Sequence, residues 1–344
     1  MKNQERYIRQ TTLPEIGVKG QNKLEKASVL VIGAGGLGCA ILPYLITSGV
    51  GIIGIVDGDT IATSNLHRQV LYTNEDVGLL KATIASKRLK TLNHDVLIKS
   101  HTTYLNGDNA LSLFKEYDII VDATDRISAR YLINDACVLL NKPFVHGSIY
   151  KFQSQISVFN YKNGPTYRCL YPEPNQDVLS CSEVGVLGTT VALAGALQAN
   201  EILKIILGIG NVLSGKLLMI DSLTNEQSVF GFKKNTKLQV TQDSFENEHQ
   251  INKVSYAFAE AENHLILDVR QPKESPIIKA ENILQIPLSN LESSIKGLPQ
   301  NRAISIFCQS GIRSRKAYKL LKKHNVNHIY CLNENAPNLT KISL

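Results

Sequence analysis

A glycine-rich turn is the first group of residues with recognisable chemistry. Gly33, Gly35 and Gly38 keep GxGxxG spacing, and Gly36 adds a fourth glycine. Such a turn between a strand and a helix directs backbone N–H groups and the positive end of the helix dipole at an anion. Asp57 follows about 20 residues later, where an acid can bind ribose hydroxyls. The pattern predicts a nucleotide site.

A polar segment behind this turn favours a nucleoside triphosphate over a dinucleotide. It comprises Ser64, Asn65, Leu66, His67, Arg68 and Gln69. Arg68 can bind phosphate oxygens with its forked guanidinium, and the two amides can orient them. Asp59, two residues after Asp57, belongs to the same predicted site. A nicotinamide oxidoreductase remains the alternative, because the glycines and Asp57 fit it too, but that class of enzyme does not require the polar segment.

Two further residues complete the inventory of an ATP site. Lys81 opens a predicted helix and can place a point charge on the β- and γ-phosphates. Asp125 follows a predicted strand, at the sheet edge where a carboxylate can hold Mg²⁺. Alone, each would more often be a surface ion-pair residue. The neighbouring Arg126 either adds a phosphate contact or perturbs the metal site, and the sequence leaves both open.

A second candidate centre lies near the C-terminus. The residues Cys308, Gln309, Ser310, Gly311, Ile312 and Arg313 join an apolar strand to a predicted helix. A thiol at a helix N-terminus, among backbone N–H groups and near an arginine, should have a depressed pKa and be a good nucleophile. The same surroundings would stabilise a persulfide anion.

Strand and helix patterns alternate through the part of the chain that carries the glycine turn. Near-continuous apolar runs predict strands, and longer amphipathic runs between them predict helices. The predicted strands are 28–33, 51–57, 96–101, 117–122, 143–147, 155–160 and 217–221; the predicted helices are 37–48, 80–92, 129–140 and 188–207. This order predicts an α/β fold with a Rossmann-like, mostly parallel sheet covered on both faces.

The composition changes after the first region. Residues 233–254 are polar without an apolar period and are interpreted as a linker. A smaller α/β pattern follows, with strands at 264–269, 303–307 and 328–331 and a helix at 314–324. The predicted organisation is therefore a nucleotide-binding domain over 1–232, a linker, and a second domain over 255–344.

Composition narrows the class of protein. The 344 residues are 43% hydrophobic and 19% charged, with a net charge of +7, which is ordinary for a globular domain protein. No basic stripe with interleaved aromatics is present, so nucleic-acid binding is not expected. The longest apolar stretches contain proline, glycines or charges, so no membrane span is expected. Six scattered cysteines without a CxxC pair fit a reducing cytoplasm.

The ordered motifs resemble a known family. The strings RYIRQ, GAGGLG, VDGD, SNLHRQVL, VGLLKA, VDATD, RCLYPEP and SEVGVLG, within about 5–232, look like the MoeB/ThiF group of the ubiquitin-activating-enzyme family. The resemblance implies ATP-dependent adenylation of the C-terminal Gly-Gly of a ubiquitin-like sulfur-carrier protein. It assigns Gly36, Asp57, Asn65, Arg68, Lys81 and Asp125 to the ATP site. It also implies a homodimer in which Arg9 reaches the site of the partner subunit.

The C-terminal motifs resemble a single rhodanese domain over about 255–344. They are Asp268-Val-Arg270, Ile286-Pro-Leu288 and the loop that starts at Cys308. The loop has the short rhodanese length, which suits sulfur, rather than the longer one of related phosphatases. The resemblance implies that Cys308 carries a persulfide from a donor such as a cysteine desulfurase. A molybdopterin-synthase type of carrier is our first choice; thiamine-pathway and tRNA-thiolation carriers stay open, as does a non-catalytic tether.

Two departures from these families and one shared cysteine position bear on function. The usual zinc-binding CxxC reads Thr166-Tyr-Arg-Cys169, and no cysteine lies between Phe230 and Cys308, so no zinc site is expected. Cys181 occupies the position of a crossover-loop cysteine that can join the carrier, with a small buried residue as the alternative. The usual Gly-Gly near the end of the rhodanese domain is replaced at 333–335, so an inactive regulatory copy is the alternative to an active domain.

Overall fold

The computed structural model describes residues 5–173, 185–278, 282–299 and 301–339. The chain divides into two compact units, residues 1–249 and 250–344. Each unit is built on its own β-sheet with helices packed against it. This confirms the predicted fold class of a large Rossmann-like sheet and a smaller α/β domain.

The sheet of the first unit has eight strands in the order β3-β2-β1-β4-β5-β6-β7-β8. Their bounds are β1 Ser28–Ile32, β2 Ile52–Val56, β3 Leu97–His101, β4 Ile119–Asp122, β5 Phe144–Tyr150, β6 Gln153–Phe159, β7 Lys216–Asp221 and β8 Gln227–Gly231. The first five are parallel, and β6, β7 and β8 continue the sheet antiparallel. The carboxyl ends of β1 to β4 therefore lie at one edge.

Helices cover both faces of this sheet. They are α1 Ile8–Thr11, α2 Gly17–Lys26, α3 Gly36–Thr47, α4 Lys81–Leu92, α5 Ala110–Lys115, α6 Ile127–Leu139, α7 Tyr167–Leu170 and α8 Gly188–Leu207. Alternate residues of β1 enter different cores: Val29 and Val31 face one, and Leu30 and Ile32 the other. Successive side chains of a strand point to opposite faces, so a strand buried on both faces must be apolar throughout.

Helix α8 is a core helix of this unit, although its length and hydropathy alone would permit a membrane span. Gln198 Nε2 donates to the carbonyl oxygen of Asp122 at 2.9 Å, and Glu201 accepts from the backbone of Leu213. Its contact with α3 is made by small residues: a β-carbon added at Gly195 would lie 2.5 Å from that of Ala40. The helix thus packs on α3 and the sheet at close range.

The structure differs from the predicted linker over 233–254, because this range contributes a helix to the first unit and a strand to the second. Helix α9, Gln242–His249, packs on the first unit with Phe245 fully buried. Arg168 forms ion pairs with Asp135 and Glu248, and His249 Nε2 lies 2.7 Å from Asp135. One buried aromatic and a set of ion pairs hold this helix, and neither produces an apolar period in the sequence.

The second unit contains a five-stranded parallel sheet in the order β11-β10-β12-β13-β9. The strands are β9 Lys253–Val254, β10 Leu265–Asp268, β11 Ile283–Gln285, β12 Ile304–Phe307 and β13 Ile329–Leu332. The helices are α10 Tyr256–Ala261, α11 Leu288–Ser294, α12 Ile312–Lys323 and α13 Ala336–Leu339. Strand β9 lies within the predicted linker. Strand β12 ends directly before Cys308, at the N-terminus of α12.

Candidate functional site

The glycine turn brings the end of β1 against the start of α3. Gly33 has φ +103°, and a β-carbon added at Gly38 would lie 2.2 Å from the carbonyl oxygen of Gly33. Neither position accepts a side chain without movement of the backbone. Because α3 begins at Gly36, its unpaired N–H groups face the space above the carboxyl edge of the sheet.

Asp57, at the end of β2, is fixed by two backbone donors. Its Oδ2 accepts from the N–H of Ala34 at 2.7 Å and its Oδ1 from that of Asp59 at 2.8 Å. Burial raises the pKa of this carboxyl group, against those two hydrogen bonds. Among the described residues, each oxygen receives a single hydrogen bond, so acceptor capacity is left for hydroxyl donors.

A chain of contacts runs from Lys81 across the loops beside Asp57. Lys81 Nζ lies 3.2 Å from Asp59 Oδ2, and Tyr104 donates its hydroxyl to Asp59 Oδ1 at 2.6 Å. Arg126 covers the Tyr104 ring, with Cζ 5.3 Å from the ring centroid. Burial opposes the charge of Asp59, but the Tyr104 hydrogen bond and Lys81 outweigh it and lower the pKa of this carboxyl group.

The polar segment after β2 folds into a short turn next to the glycines. Arg68 Nη1 donates to the carbonyl oxygen of Ser64 at 3.0 Å and lies 2.6 Å from His67 Nε2. Its side chain also passes 3.6 Å from the place that a β-carbon on Gly36 would occupy. Gln69 is buried, and within the described residues its Oε1 has no hydrogen-bond partner.

These groups meet in one cavity of about 310 Å³. Of the predicted nucleotide-site residues, the cavity is lined by Gly33, Gly35, Gly36, Asp57, Asp59, Asn65, Arg68, Lys81, Asp125 and Arg126. The structure does not place Gly38, Ser64, Leu66 and His67 in the lining. Arg9 is exposed on α1 and does not line the cavity of its own chain either.

A buried charged group that the sequence analysis missed adjoins the cavity through Arg130. Asp122 is fully buried, and its Oδ2 lies 2.7 Å from His146 Nδ1 and 3.6 Å from Arg130 Nε. Burial lowers the pKa of His146, so its imidazole is neutral and donates a hydrogen bond to Asp122. Burial raises the pKa of Asp122, but His146 and Arg130 outweigh it, so the pKa is lowered and Asp122 is a carboxylate. Arg130 lines the cavity. Only the position of Asp122 at the end of a buried strand could have indicated this group.

In the second unit, Cys308 lies at the N-terminus of α12 as predicted. Its Sγ accepts from the N–H of Gly311 at 3.1 Å and from that of Ser314 at 3.4 Å, and Ser314 Oγ lies 3.8 Å away. Burial raises the pKa of this thiol, but the hydrogen bonds from Ser314 and Ser310 outweigh it, and the pKa is lowered. The arrangement stabilises a thiolate.

Two arginines tie the Cys308 loop to the segment after β10. Arg270 is buried against Asp268, and its Nη1 donates to Gln309 Oε1 at 3.3 Å. The Arg313 guanidinium binds the carboxylate of Glu274. We expected Arg313 to lower the Cys308 pKa through its charge, whereas the dominant donors are backbone N–H groups. Glu274 carries no sequence signal of its own beyond its place after Asp268-Val-Arg270. Ile312 is exposed.

The remaining cysteine positions divide into three cases. Cys39, Cys137 and Cys331 are buried, and burial raises the pKa of each thiol. Cys169 Sγ lies 3.3 Å from both Thr166 Oγ1 and the backbone N of Asn235. Cys181 lies outside the described residues.

Comparison with known proteins places this geometry in a family. Residues 7–240 match the ThiF family, and residues 253–336 match the rhodanese-like domain. A "Sulfur carrier protein adenylyltransferase" of Thermus thermophilus is 47% identical over 246 residues, covering 70% of this chain and 91% of the relative. A "Probable molybdopterin-synthase adenylyltransferase" of Gracilaria tenuistipitata is 38% identical over 342 residues, covering 95% of each chain.

Another relative is longer than this chain. "Adenylyltransferase and sulfurtransferase MOCS3" of Culex quinquefasciatus is 52% identical over 236 residues, which cover 68% of this chain but only 52% of that protein. Among solved structures, E. coli MccB with a MccA variant has a TM-score of 0.60 at 24% identity, covering 69% of this chain and 74% of that chain, which supports the fold. The chain therefore belongs to the ThiF family and carries a C-terminal rhodanese-like domain.

Proposed function

We propose that this chain adenylates the C-terminal glycine of a ubiquitin-like sulfur-carrier protein and then transfers sulfur to it. The observation that carries the first step is the shared cavity, which holds the glycine turn, Asp57, Asn65, Arg68, Lys81 and Asp125 together. The names of the Thermus, Gracilaria and Culex relatives support the same chemistry.

In the proposed first step, a carboxylate oxygen of the carrier attacks the α-phosphorus of ATP. The bond from that phosphorus to the bridging oxygen breaks, which gives an acyl adenylate and pyrophosphate. The protein contributes position and charge neutralisation: the glycine turn and α3 N-terminus hold phosphate, Asp57 holds ribose, and Arg68 and Lys81 offset the growing negative charge.

Asp125 is the proposed magnesium ligand. Its carboxylate is exposed and lines the cavity, and such oxygen ligands suit Mg²⁺. Magnesium bound there would neutralise charge on the phosphate oxygens. For zinc, we propose that none is needed: the single thiol of Cys169 lies against Thr166 and the Asn235 N–H, which cannot supply a tetrahedral thiolate set.

In the proposed second step, Cys308 carries a persulfide received from a donor such as a cysteine desulfurase. Its terminal sulfur attacks the acyl carbon, AMP leaves, and the carrier is joined to Cys308 through an acyl disulfide. A second thiol then attacks the Cys308 sulfur atom: the sulfur–sulfur bond of the acyl disulfide breaks, the carrier thiocarboxylate leaves, and the second thiol and Cys308 are oxidised to a disulfide, which an external dithiol reduces before the next turnover. Cys181 is the proposed second thiol. The backbone donors around Cys308 Sγ support the anionic forms. One chain carries both centres, which raises their effective concentration.

The remaining assignments are the partner, the assembly and the compartment. We propose a homodimer in which Arg9 serves the site of the other copy, because Arg9 is exposed and does not line its own cavity. A molybdopterin-synthase type of carrier stays our first choice among the three pathways. The free state of the described cysteines is consistent with a cytoplasmic location.

ATP–pyrophosphate exchange tests the first step. The purified chain is incubated with each candidate carrier ending in Gly-Gly, and exchange that requires one carrier would establish adenylation and name the pathway. Asp125→Ala should abolish exchange, and Asp243→Ala, a change at an exposed aspartate outside the cavity, should not. ATP binding without exchange for any carrier would favour the tether function instead.

A single-turnover assay tests the second step separately. With preformed acyl adenylate and a persulfide donor, and no added sulfide, Cys308→Ala should prevent thiocarboxylate formation while leaving pyrophosphate exchange intact. Cys169→Ala serves as the control at a half-exposed cysteine of the first unit. Thiocarboxylate formation at an unchanged rate in Cys308→Ala would remove the rhodanese-like domain from the reaction.

A further inference from the structure

Two planar side chains from different loops meet at the cavity wall beside Asp57. Tyr104 follows β3, and Arg126 lies between β4 and α6. Both line the cavity, and the Arg126 guanidinium carbon lies 5.3 Å from the centre of the Tyr104 ring. The contact therefore places two flat groups from different loops against each other at the cavity wall.

Contacts with three neighbouring residues hold Tyr104 in place, although it is 49% exposed. Its hydroxyl donates to Asp59 at 2.6 Å, and a β-carbon added at Gly58 would lie 2.9 to 3.0 Å from three ring carbons. The backbone of Gly58 thus packs flat on the ring. The carbonyl oxygen of Tyr104 also accepts from the amide of Asn109 at 3.0 Å. Because Tyr104 is already fixed, it loses little rotamer freedom when a ligand binds against Arg126.

Arg126 differs from the other cavity arginines in its partners. Within the described part of the chain, its guanidinium makes no hydrogen bond or ion pair, and its contact is with the Tyr104 ring. By contrast, Arg68 donates to the carbonyl oxygen of Ser64, and Arg130 pairs with Asp122. Arg126 is exposed, and its Cζ lies over the Tyr104 ring, so the guanidinium is accessible to a planar ligand in the cavity.

The position of this pair relative to Asp57 decides which part of a nucleotide it can reach. Gly58, which packs on the Tyr104 ring, is the residue directly after Asp57. A group next to a ribose-binding carboxylate meets the base attached to that ribose. The glycine turn and Arg68 line the cavity as well and provide for the phosphates.

We infer that Tyr104 and Arg126 form the nucleobase-binding wall of the cavity, with a purine stacked on the Arg126 guanidinium and Tyr104 supporting it from behind. This inference rests on the proposed function only in taking ATP as the ligand. It gives Arg126 a role different from both that the sequence left open, a phosphate contact or a perturbed metal site, since a stacking residue acts on the base.

Binding of four ligands separates base from phosphate contacts. Adenosine, AMP, ATP and inorganic tripolyphosphate are titrated calorimetrically into the full chain and into Arg126→Lys, Arg126→Asn and Tyr104→Leu. Loss of one stacking partner should weaken adenosine and AMP binding about 5- to 100-fold. Tripolyphosphate binding should stay unchanged in Arg126→Lys, which keeps the charge but removes the planar group.

Controls distinguish this inference from misfolding and from failure of the proposed function. Tyr104→Phe keeps the ring and should retain most adenosine affinity, and Arg88→Lys, outside the cavity, should match the unaltered chain. Weaker tripolyphosphate binding with unchanged adenosine binding in Arg126→Asn would overturn the inference in favour of a phosphate contact. If the unaltered chain bound no ATP, the proposed function itself would fail.

Discussion

The guanidinium of Arg313 forms a two-point ion pair with the carboxylate of Glu274, with N–O distances of 2.5 and 2.6 Å. Both side chains are about one-third exposed. The pair joins the segment after β10 to the loop that carries Cys308. It also lowers the pKa of Glu274 to about 2, mainly through the Arg313 hydrogen bond. The negative charge therefore stays next to the loop at every physiological pH.

Glu274→Gln should lower the pKa of Cys308 further, because it removes a negative charge near the thiolate and leaves the positive charge of Arg313 unpaired. Alkylation by iodoacetamide as a function of pH, followed by mass spectrometry at Cys308, measures the change. Lys273→Gln alters an exposed charge of the same segment and is the control. Stability should fall by at most about 1 kcal/mol, as for exposed ion pairs. A Cys308 pKa that rises in Glu274→Gln contradicts the prediction.

Ser314→Ala should raise the pKa of Cys308 and slow its alkylation at pH 7. The variant keeps the N–H of residue 314 as a donor but removes the hydroxyl that lies 3.8 Å from Sγ and helps to lower the pKa. Cys39 and Cys331, whose pKa values burial raises to about 12, should stay unmodified in the folded protein and serve as internal references. An alkylation profile identical to that of the unaltered chain would show that the hydroxyl has no such effect.

Gly38→Ala should destabilise the first unit by about 1–3 kcal/mol, the usual cost of overpacking, because its β-carbon would lie 2.2 Å from the Gly33 carbonyl oxygen. ATP affinity should fall with it, since the turn must open. Gly231→Ala is the matched control: no atom of the described residues lies within 4 Å of the added carbon. Urea unfolding and ATP titration of both variants make the comparison. Equal stability of the two variants would argue against close packing at Gly38.

Asp135→Asn should destabilise the first unit by about 3 kcal/mol, because it leaves Arg168 and His249 without their buried partner. Burial raises the pKa of Asp135, but hydrogen bonds from Arg168 and His249 outweigh it and lower the pKa. Its contribution is therefore present above the unfolded-state pKa of about 3.9 and is lost as pH falls through the folded-state pKa. The variant should show less acid destabilisation in urea unfolding between pH 7 and pH 2.

Glu248→Gln is the control for the ion pairs among Asp135, Arg168 and His249. Glu248 contacts the same Arg168, but its side chain is 41% exposed, so the loss should stay below about 1 kcal/mol. If both variants lost a similar free energy of unfolding, burial of Asp135 would not be the reason why its ion pairs stabilise the first unit.

Mixing two inactive variants should restore activity if Arg9 acts in a partner subunit. Arg9→Ala and Asp125→Ala are each expected to lack pyrophosphate exchange. In a mixed dimer, one site would contain both changes and the other neither, so activity should return to about a quarter of normal after subunit exchange. Arg68→Ala mixed with Asp125→Ala is the control, because both residues line the same cavity and no intact site can form. Failure of the first mixture to recover activity would refute a role of Arg9 across subunits.

Much of the fold follows from patterns of hydrophobicity, because strands buried on both faces must be apolar. The runs at 28–33 and 119–122 illustrate this, and Gly188–Leu207 forms the predicted helix. Strand β8 carries no such signal: all five of its residues are exposed. Helix α9 is held by Phe245 and by the ion pairs that join Asp135 to Arg168 and His249. These contacts join distant parts of the chain, so no local pattern predicts the helix.

Some residues of the candidate site can likewise be predicted from local sequence patterns, and others cannot. Glycines, Asp57, Arg68 and Lys81 are predictable because their spacing from a strand fixes where they lie, and the cavity contains them. Tyr104, Arg130 and Glu274 are not, because each depends on which loops meet after folding. For Arg126, the sequence supplies the charge and the structure supplies the ring on which it rests.

The close packing of α3 on α8 limits how this protein can change over time. A β-carbon at Gly36 would lie 2.7 Å from Val191 Cγ1, and one at Gly195 would lie 2.5 Å from the β-carbon of Ala40. A larger residue on one helix is therefore tolerable only after a smaller one has arisen opposite. Substitutions at these facing positions should be accepted in pairs, so the helix behind the nucleotide turn and the turn itself must evolve together.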